Sequence, residues 1–406
     1  MTLGRGRARH ILPVIVISQF GGTSLWFAGN AVAGDLAAGL SPAYAASAVQ
    51  LGFIAGTLFS ARLRLADRYA APALFFVCCL LGALFNYPVT ALARGAGGYA
   101  VPAVLAARFV VGLTLAGIYP VGIKVAAGWY REGLGGALGY LTGALVLGTA
   151  FPHMVRGLGA AVPWNAVLAA ASMAAVAGGA LLWALVAEGP YVAPRLARDA
   201  IRPQVVPGFS PWSAVRRQAR LRASACGYFG HMWELYAFWA FLPVVLAAHG
   251  TVDAWTTELV SRWSFAVIAV GAIGCIVGGL VANRRGSAPV ALACLVVSGV
   301  CCLASPWAYG LPMPAFLAFL AVWGIAVVGD SPQFSALNAL ESPRNQVGSV
   351  VTLVNSIGFA ITVVSIQLLA WLLPAIGPRW LLLPLVAGPV VGCLVFAQGY
   401  FRASRD

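Results

Sequence analysis

The sequence predicts an all-α membrane protein of about twelve transmembrane helices, arranged as two pseudo-symmetric six-helix bundles. Composition is the first reason. Of 406 residues, 61% are hydrophobic and 9% charged, with mean hydropathy +0.88. Soluble domains carry roughly 45–50% apolar and 25% charged residues. Segmentation is the second reason: the apolar sequence divides into runs of about 20 residues, the length that crosses a bilayer. Internal duplication is the third. Gly112–Lys124 reads GLTLAGIYPVGIK and Gly324–Ala336 reads GIAVVGDSPQFSA. Both carry G-x4-G-x2-P, at an offset of 324 − 112 = 212. Asp67-Arg68 and Asn283-Arg284 each close an apolar run, and Arg131-x3-Gly135 recurs as Arg344-x3-Gly348 at nearly the same offset.

Taken in order, the spans are expected near 11–33, 45–63, 72–93, 101–123, 134–153 and 163–187, then 223–247, 257–282, 288–308, 313–337, 346–371 and 380–401. Backbone groups in lipid must be satisfied within the segment, so these runs are helices. They are too long and too continuously apolar for barrel strands. GRGRARH before the first run resembles a signal peptide, but the apolar stretch is too long for one and reads as span 1. The polar stretch 188–222 holds five prolines and seven arginines. It reads as a cytoplasmic linker between residues 1–187 and 223–406, touching anionic lipid head groups. Glycine pairs at four-residue spacing, Gly52/Gly56, Gly139/Gly143 and Gly274/Gly278, let helix backbones approach closely.

The net charge of +14 suggests nucleic acid until the charges are placed. Most basic residues fall at the N-terminus, at the C-terminus and in the loops after even-numbered spans. Only Arg94, Arg156, Arg262 and Arg379 fall on the opposite side. That is the positive-inside bias, and it places both termini in the cytoplasm. Nucleic acid is not an expected partner. All eight cysteines fall within predicted spans, with no CxxC and no histidine at ligand spacing. They read as small buried residues, and neither a metal nor a cofactor is expected. A duplicated helical bundle with a site between its halves is the build of a secondary transporter.

Several motifs together resemble the major facilitator superfamily. Leu65-Ala66-Asp67-Arg68 and Gly279-x3-Asn283-Arg284-x-Gly286 are degraded copies of its loop signature between helices 2 and 3. Arg108-x3-Gly112 matches its helix 4 signature. Gly139, Gly143, Gly148 and Pro152 lack the Gly-Pro dipeptide of its proton antiporters, which tilts the reading toward uptake. SLWFAGNAV, FGHMWELYAFWAF and GDSPQFSAL are similar to stretches of bacterial transporters of undefined substrate. The resemblance covers the whole chain. It implies two six-helix bundles in a bacterial inner membrane, acting as a monomer, with helices 1, 4, 7 and 10 lining a cavity.

Ionisable groups within spans are the strongest functional signal, since each costs about 2.5–3.5 kcal/mol at a helix centre. Arg108 lies roughly 10 Å into span 4 and Glu234 roughly 16 Å into span 7 at 1.5 Å per residue. His231 is one turn before Glu234, and Asp330 is late in span 10. Gln19, Thr23, Trp26 and Asn30 form one helical face of span 1. The expected substrate is a small anionic or zwitterionic solute. Arg108, Gln19, Thr23, Trp26, Asn30, His231, Tyr236 and Asn355 are its candidate ligands. Glu234, His231 and Asp330 are the candidate proton carriers. The alternative role for Arg108 is to anchor span 4 to a neighbouring carbonyl or acid. For Asp330, beside Ser331-Pro332, the alternative is capping of a broken helix. Asp67, Arg68, Asn283, Arg284, Arg131 and Arg344 are candidate cytoplasmic latch residues. Two transport alternatives remain open: an exporter of cationic or amphipathic compounds, with Glu234 and Asp330 as counter-charges, and a passive uniporter. An enzyme is not expected, because no nucleophile–base pair, metal cluster or phosphate loop is legible.

Overall fold

In the computed structural model of the chain, the described residues are 10–36, 39–87, 100–130, 134–192, 211–250, 254–343 and 346–401. Every element among them is helical. Ten helices are long and apolar enough to cross a membrane, and two shorter apolar helices, Ile11–Thr23 and Ala71–Asn86, occupy the places of spans 1 and 3.

The first six spans are α1 (Ile11–Thr23), α2 (Pro42–Leu63), α3 (Ala71–Asn86), α4 in two parts (Ala100–Leu115 and Tyr119–Trp129), α5 (Leu134–Arg156) and α6 (Trp164–Leu185). Then come α7 (Ala219–His249), α8 in two parts (Thr257–Ala269 and Gly271–Arg285) and α9 (Ser287–Ala308). They are followed by α10 in two parts (Met313–Gly329 and Ser331–Leu340), α11 (Val347–Trp380) and α12 (Ala387–Phe396). Near its end α11 breaks at Gly377, whose φ of +70° suits a residue without a Cβ, between Pro374 and Pro378. Most of the expected linker lies outside the described residues, as do Arg94, Arg131 and Arg344.

The duplication seen in the sequence is a duplication of packing. Within the first half, α1 packs on α5 and α6, α2 on α4, and α3 on α4 and α6. Six helices later each contact recurs: α7 on α11 and α12, α8 on α10, α9 on α10 and α12. Small residues sit at matching points. Gly21 of α1 meets Gly178 of α6, and Gly230 of α7 meets Gly392 of α12. Between the halves run two long seams, α2 against α11 and α5 against α8. Gly139 and Gly143 of α5 face Cys275 and Ala272 of α8 along the second seam. Removing side chains there brings two backbones close, where lipid offers no hydrophobic drive for helices to associate.

The repeated G-x4-G-x2-P motif is a helix break in both halves. In α4 the break covers Ala116–Ile118, just after Leu115 and before Pro120. In α10 it falls at Asp330, before Pro332. Proline lacks an N–H and clashes with the preceding turn, which stops the first part of each helix. Cys78 of α3 packs against Gly117 at one break and Cys294 of α9 against Gly329 at the other.

Span 1 departs from expectation. Its helix ends at Thr23, and residues 24–32 are turns. Thr23 Oγ1 donates to the Gln19 carbonyl (2.8 Å) and Ser24 Oγ to the Gly21 carbonyl (2.7 Å), a back-bonding habit that loosens helices. Gln19, Thr23, Trp26 and Asn30 therefore do not form one continuous helical face.

Candidate functional site

A cavity of about 520 Å³ lies between the halves, walled by α2, α4, α5, α7, α10 and α11. It runs from mid-membrane to the end of the molecule where α5 begins and α10 ends, marked by Gly135 and Leu340. We call this the linker end, since α6 finishes and α7 starts there. Its helix 7 wall is Tyr228, Met232, Leu235 and Tyr236, one face of that helix.

An aromatic plug seals the inner end. Trp26 stacks on Tyr236 (centroids 5.7 Å) and on Phe359 of α11 (5.8 Å), and Phe53 of α2 approaches Phe359 to 4.3 Å. Trp239 sits edge-on behind Tyr236 at 5.4 Å. The plug joins residues of both halves. Beyond it, at the far end, Gln367 of α11 donates to the Ala43 carbonyl (3.2 Å) and to Ser47 Oγ (2.8 Å) of α2. Arg262 Nε of α8 donates to the Gly157 carbonyl at the end of α5 (2.5 Å). The protein is thus closed at the far end and hollow toward the linker end.

Of the eight candidate substrate ligands, Tyr236 and Asn355 line the cavity, and Trp26 roofs it. Arg108 does not reach it. The guanidinium is fully buried within the first half and donates to Asn86 Oδ1 (2.5 Å), the Leu25 carbonyl (2.7 Å) and the Trp26 carbonyl (3.3 Å). Those two carbonyls belong to the unwound part of span 1 and have lost their helical donors. Arg108 supplies the missing donors, and Asn86 is held in turn by the Leu168 carbonyl and Ser172 Oγ, both 3.0 Å away. The expected crevice shared by Arg108 and Glu234 is absent from this conformation, because a broken helix in oil needs a fixed donor. Gln19 is buried against Gly122 of α4, Thr23 packs beside Gly148 of α5, and Asn30 Nδ2 donates to the Pro42 carbonyl (2.9 Å).

The three proton-carrier candidates do come together, inside the second half. His231 Nδ1 lies 2.7 Å from Asp330 Oδ1, with both side chains about 1% exposed. Glu234, one turn along α7, accepts from Ser298 Oγ of α9 (2.9 Å) and from Trp323 Nε1 of α10 (2.5 Å). None of the three lines the cavity: His231 and Glu234 lie on the adjoining face of α7, toward α9 and α10, and Asp330 belongs to α10. Asp330 sits at the helix break itself, and its neighbours Val328 and Ser331 form part of the cavity wall. A change at the break is therefore one residue from the cavity. Sequence reasoning missed Trp323 and Ser298 as partners of Glu234. It also missed Phe53, Tyr119 and Phe359 as cavity residues, although Tyr119 stands inside the repeated motif.

At the linker end, Asp67 pairs with Lys124 of α4 at 2.6 Å and more distantly with Arg64 at 3.8 Å. Lys124 also donates to the Ala66 carbonyl. As a latch residue Asp67 was open to two roles, a place at a helix N-terminus or a pair with an arginine across the seam; no such pair occurs among the described residues, where Lys124 of the same half is its partner. Arg68 and Arg284 are exposed. Asn283 is the latch candidate placed across the seam, with its amide over Gly135 and Gly136 of α5. No group of residues suited to hold a metal occurs among the described residues.

The sequence pattern of the Major Facilitator Superfamily matches residues 11–366. No curated protein sequence matches the chain. Among solved structures, the chain is similar to the MFS proton:xylose symporter XylE bound to 6-bromo-6-deoxy-D-glucose. That match has a TM-score of 0.71 and 14% identity, over 97% of each chain. At that identity the likeness shows the fold. Duplicated helix packing, paired helix breaks and the matched family pattern agree: the chain is a multi-pass integral membrane protein that belongs to the major facilitator superfamily, a family of transporters and not enzymes, with a transported small molecule as its substrate.

Proposed function

We propose that the chain is a proton-coupled secondary transporter that carries a small organic solute by alternating access, and that Glu234, with the His231–Asp330 pair, is its proton site. The observation that carries this reading is the surroundings of Glu234. A carboxyl 1% exposed in the membrane interior is held by two neutral donors, Ser298 and Trp323. A permanently charged group would be costly there without a counter-ion, whereas a group that gains and loses a proton during a cycle has a reason to be kept. A passive uniporter needs no such group. The bias of basic residues identifies the linker end as the cytoplasmic side, so the conformation described is inward-facing. The two halves, joined by the linker 188–222, would rock along the α2–α11 and α5–α8 seams, opening the aromatic plug.

The anionic or zwitterionic reading of the substrate depended on Arg108 reaching the crevice, and its engagement with span 1 argues against that. Infrared difference spectra of the purified protein recorded across a range of pH test the proton site without knowledge of the solute. A protonated-carboxyl band that responds to pH and is lost in Glu234→Gln is expected. If no carboxyl band responds, or if the band survives in both Glu234→Gln and Asp330→Asn, the proton site is elsewhere.

A further inference from the structure

Resting on the transporter reading above, we propose that the central cavity is the substrate site and that it selects an uncharged, amphipathic solute bearing an aromatic ring system. The volume of about 520 Å³ lies in the range of roughly 300–1,000 Å³ typical of sites for drug-sized organic molecules. No acidic, basic or histidine side chain stands among the described residues that line it. A carboxylate or ammonium moved there from water loses its hydration and meets no opposite charge. The charges in this part of the molecule are turned away. Arg108 is engaged with span 1, and Glu234, His231 and Asp330 face the interior of the second half.

What the walls offer instead is ring surface. Phe53, Phe359, Tyr236, Tyr228 and Tyr119 come from both halves. Offset or edge contacts with flat rings contribute beyond simple burial. A polyol such as a sugar would leave most of its hydroxyls unpaired against such walls. Hydroxyls come from Thr142, Ser331, Ser335 and the three tyrosines, and Asn355 is the one amide among the described lining residues. Asn355 of α11 offers both a donor and an acceptor, and Ser331 and Ser335 stand on the part of α10 that packs against α11. Such a pattern orients one polar end of an otherwise apolar molecule. The Trp26–Tyr236–Phe359 stack would then be the surface that the ring system displaces or joins as the inner plug opens.

The test uses purified full-length protein in lipid nanodiscs and four probes, naphthalene-2-carboxamide, naphthalene-2-carboxylate, (2-naphthylmethyl)trimethylammonium and glucose, with 2-methylnaphthalene as an apolar control. Binding is read by thermal shift and by tryptophan fluorescence. The carboxamide is expected to bind at least about ten-fold more tightly than any of the other three, since each misplaced polar group forfeits about one order of magnitude. Asn355→Leu is expected to weaken the carboxamide by about ten-fold and to leave 2-methylnaphthalene, which has no polar end, unchanged. A purely structural defect would weaken both. Equal or tighter binding of a charged probe or of glucose overturns the proposal. So does no binding of the carboxamide up to about 1 mM, or equal loss of both naphthalenes in Asn355→Leu. Failure of the proton-coupling reading would look different. The carboxamide would bind as expected, but its uptake into vesicles would ignore both an imposed pH gradient and Glu234→Gln.

Discussion

Replacing Arg108 with alanine separates an anchor from a ligand. The guanidinium makes three hydrogen bonds, at 2.5, 2.7 and 3.3 Å, and is fully buried. Two of its acceptors are carbonyls of a chain segment with no helical donors of its own. Hydrogen bonds to a charged group contribute roughly 1.5–3 kcal/mol each, and each orphaned buried acceptor costs about 1–3 kcal/mol. Against this stands relief from burying the charge, which recovers several kcal/mol. The net expectation is a loss of about 3–5 kcal/mol, the usual result of breaking a buried charged network from one side. At roughly 2 °C per kcal/mol for a large chain, the melting temperature should fall by about 6–10 °C. Arg108→Lys, with one ammonium in place of a planar fork, should recover only part of it. The assay is thermal unfolding in nanodiscs, paired with binding of the naphthalene carboxamide to the protein that remains folded. Unchanged stability together with a large loss of ligand affinity would refute the anchor and restore Arg108 as a substrate group.

Other substitutions probe the remaining parts. Trp323→Phe removes one donor to Glu234 while keeping ring packing on Phe238. It should shift the pH at which the carboxyl band responds and leave carboxamide affinity within about two-fold, as expected for a change of about 0.5 kcal/mol or less at the cavity. Gly139→Val places branches where even a Cβ would lie 2.9 Å from the Cys275 carbonyl. Vesicle uptake of the carboxamide should fall at least about ten-fold, with the protein still monodisperse on size exclusion. Asp67→Asn breaks an ion pair whose members are 26% and 48% exposed. Its effect on unfolding should stay within about 1 kcal/mol and shrink with added salt. Gln367→Leu removes both hydrogen bonds that tie α11 to the start of α2. It should raise labelling of a cysteine placed at Ser47 by an impermeant thiol reagent added from the far side.

The spans were legible because twenty apolar residues in a row have few other uses; of the two helix breaks, only the one beside Ser331-Pro332 was offered, as an alternative role for Asp330. The way a side chain faces was much less legible. The stripe Gln19–Asn30 assumed a helix that Thr23 and Ser24 undo by bonding to their own backbone, and no periodicity argument sees that. Arg108 falls on a cavity-lining helix, as expected, yet its direction is set by carbonyls that become free only once span 1 unwinds. Asn86 was the clue. A polar amide near the end of span 3 needs a partner, and the arginine of the neighbouring span could supply it. On α7 the cavity face and the Glu234 face are about a third of a turn apart. The sequence placed these ionisable groups on helices that wall the cavity, and periodicity did not tell which face of each helix turns toward it.

The two halves share one blueprint but not one chemistry. At the break in α4 the residue after the glycine is Ile118, and at the break in α10 it is Asp330, set against a histidine. The buried arginine of the first half has no counterpart at the matching place on α10, where Leu320 stands. One copy uses its ionisable group to hold itself together, and on the proton-coupled reading proposed above the other keeps its ionisable groups for exchange. A tandem chain assembled from two first halves would lack Glu234 and the His231–Asp330 pair. On that reading it would be an inert shell, able to enclose a passenger and unable to harness anything to move it.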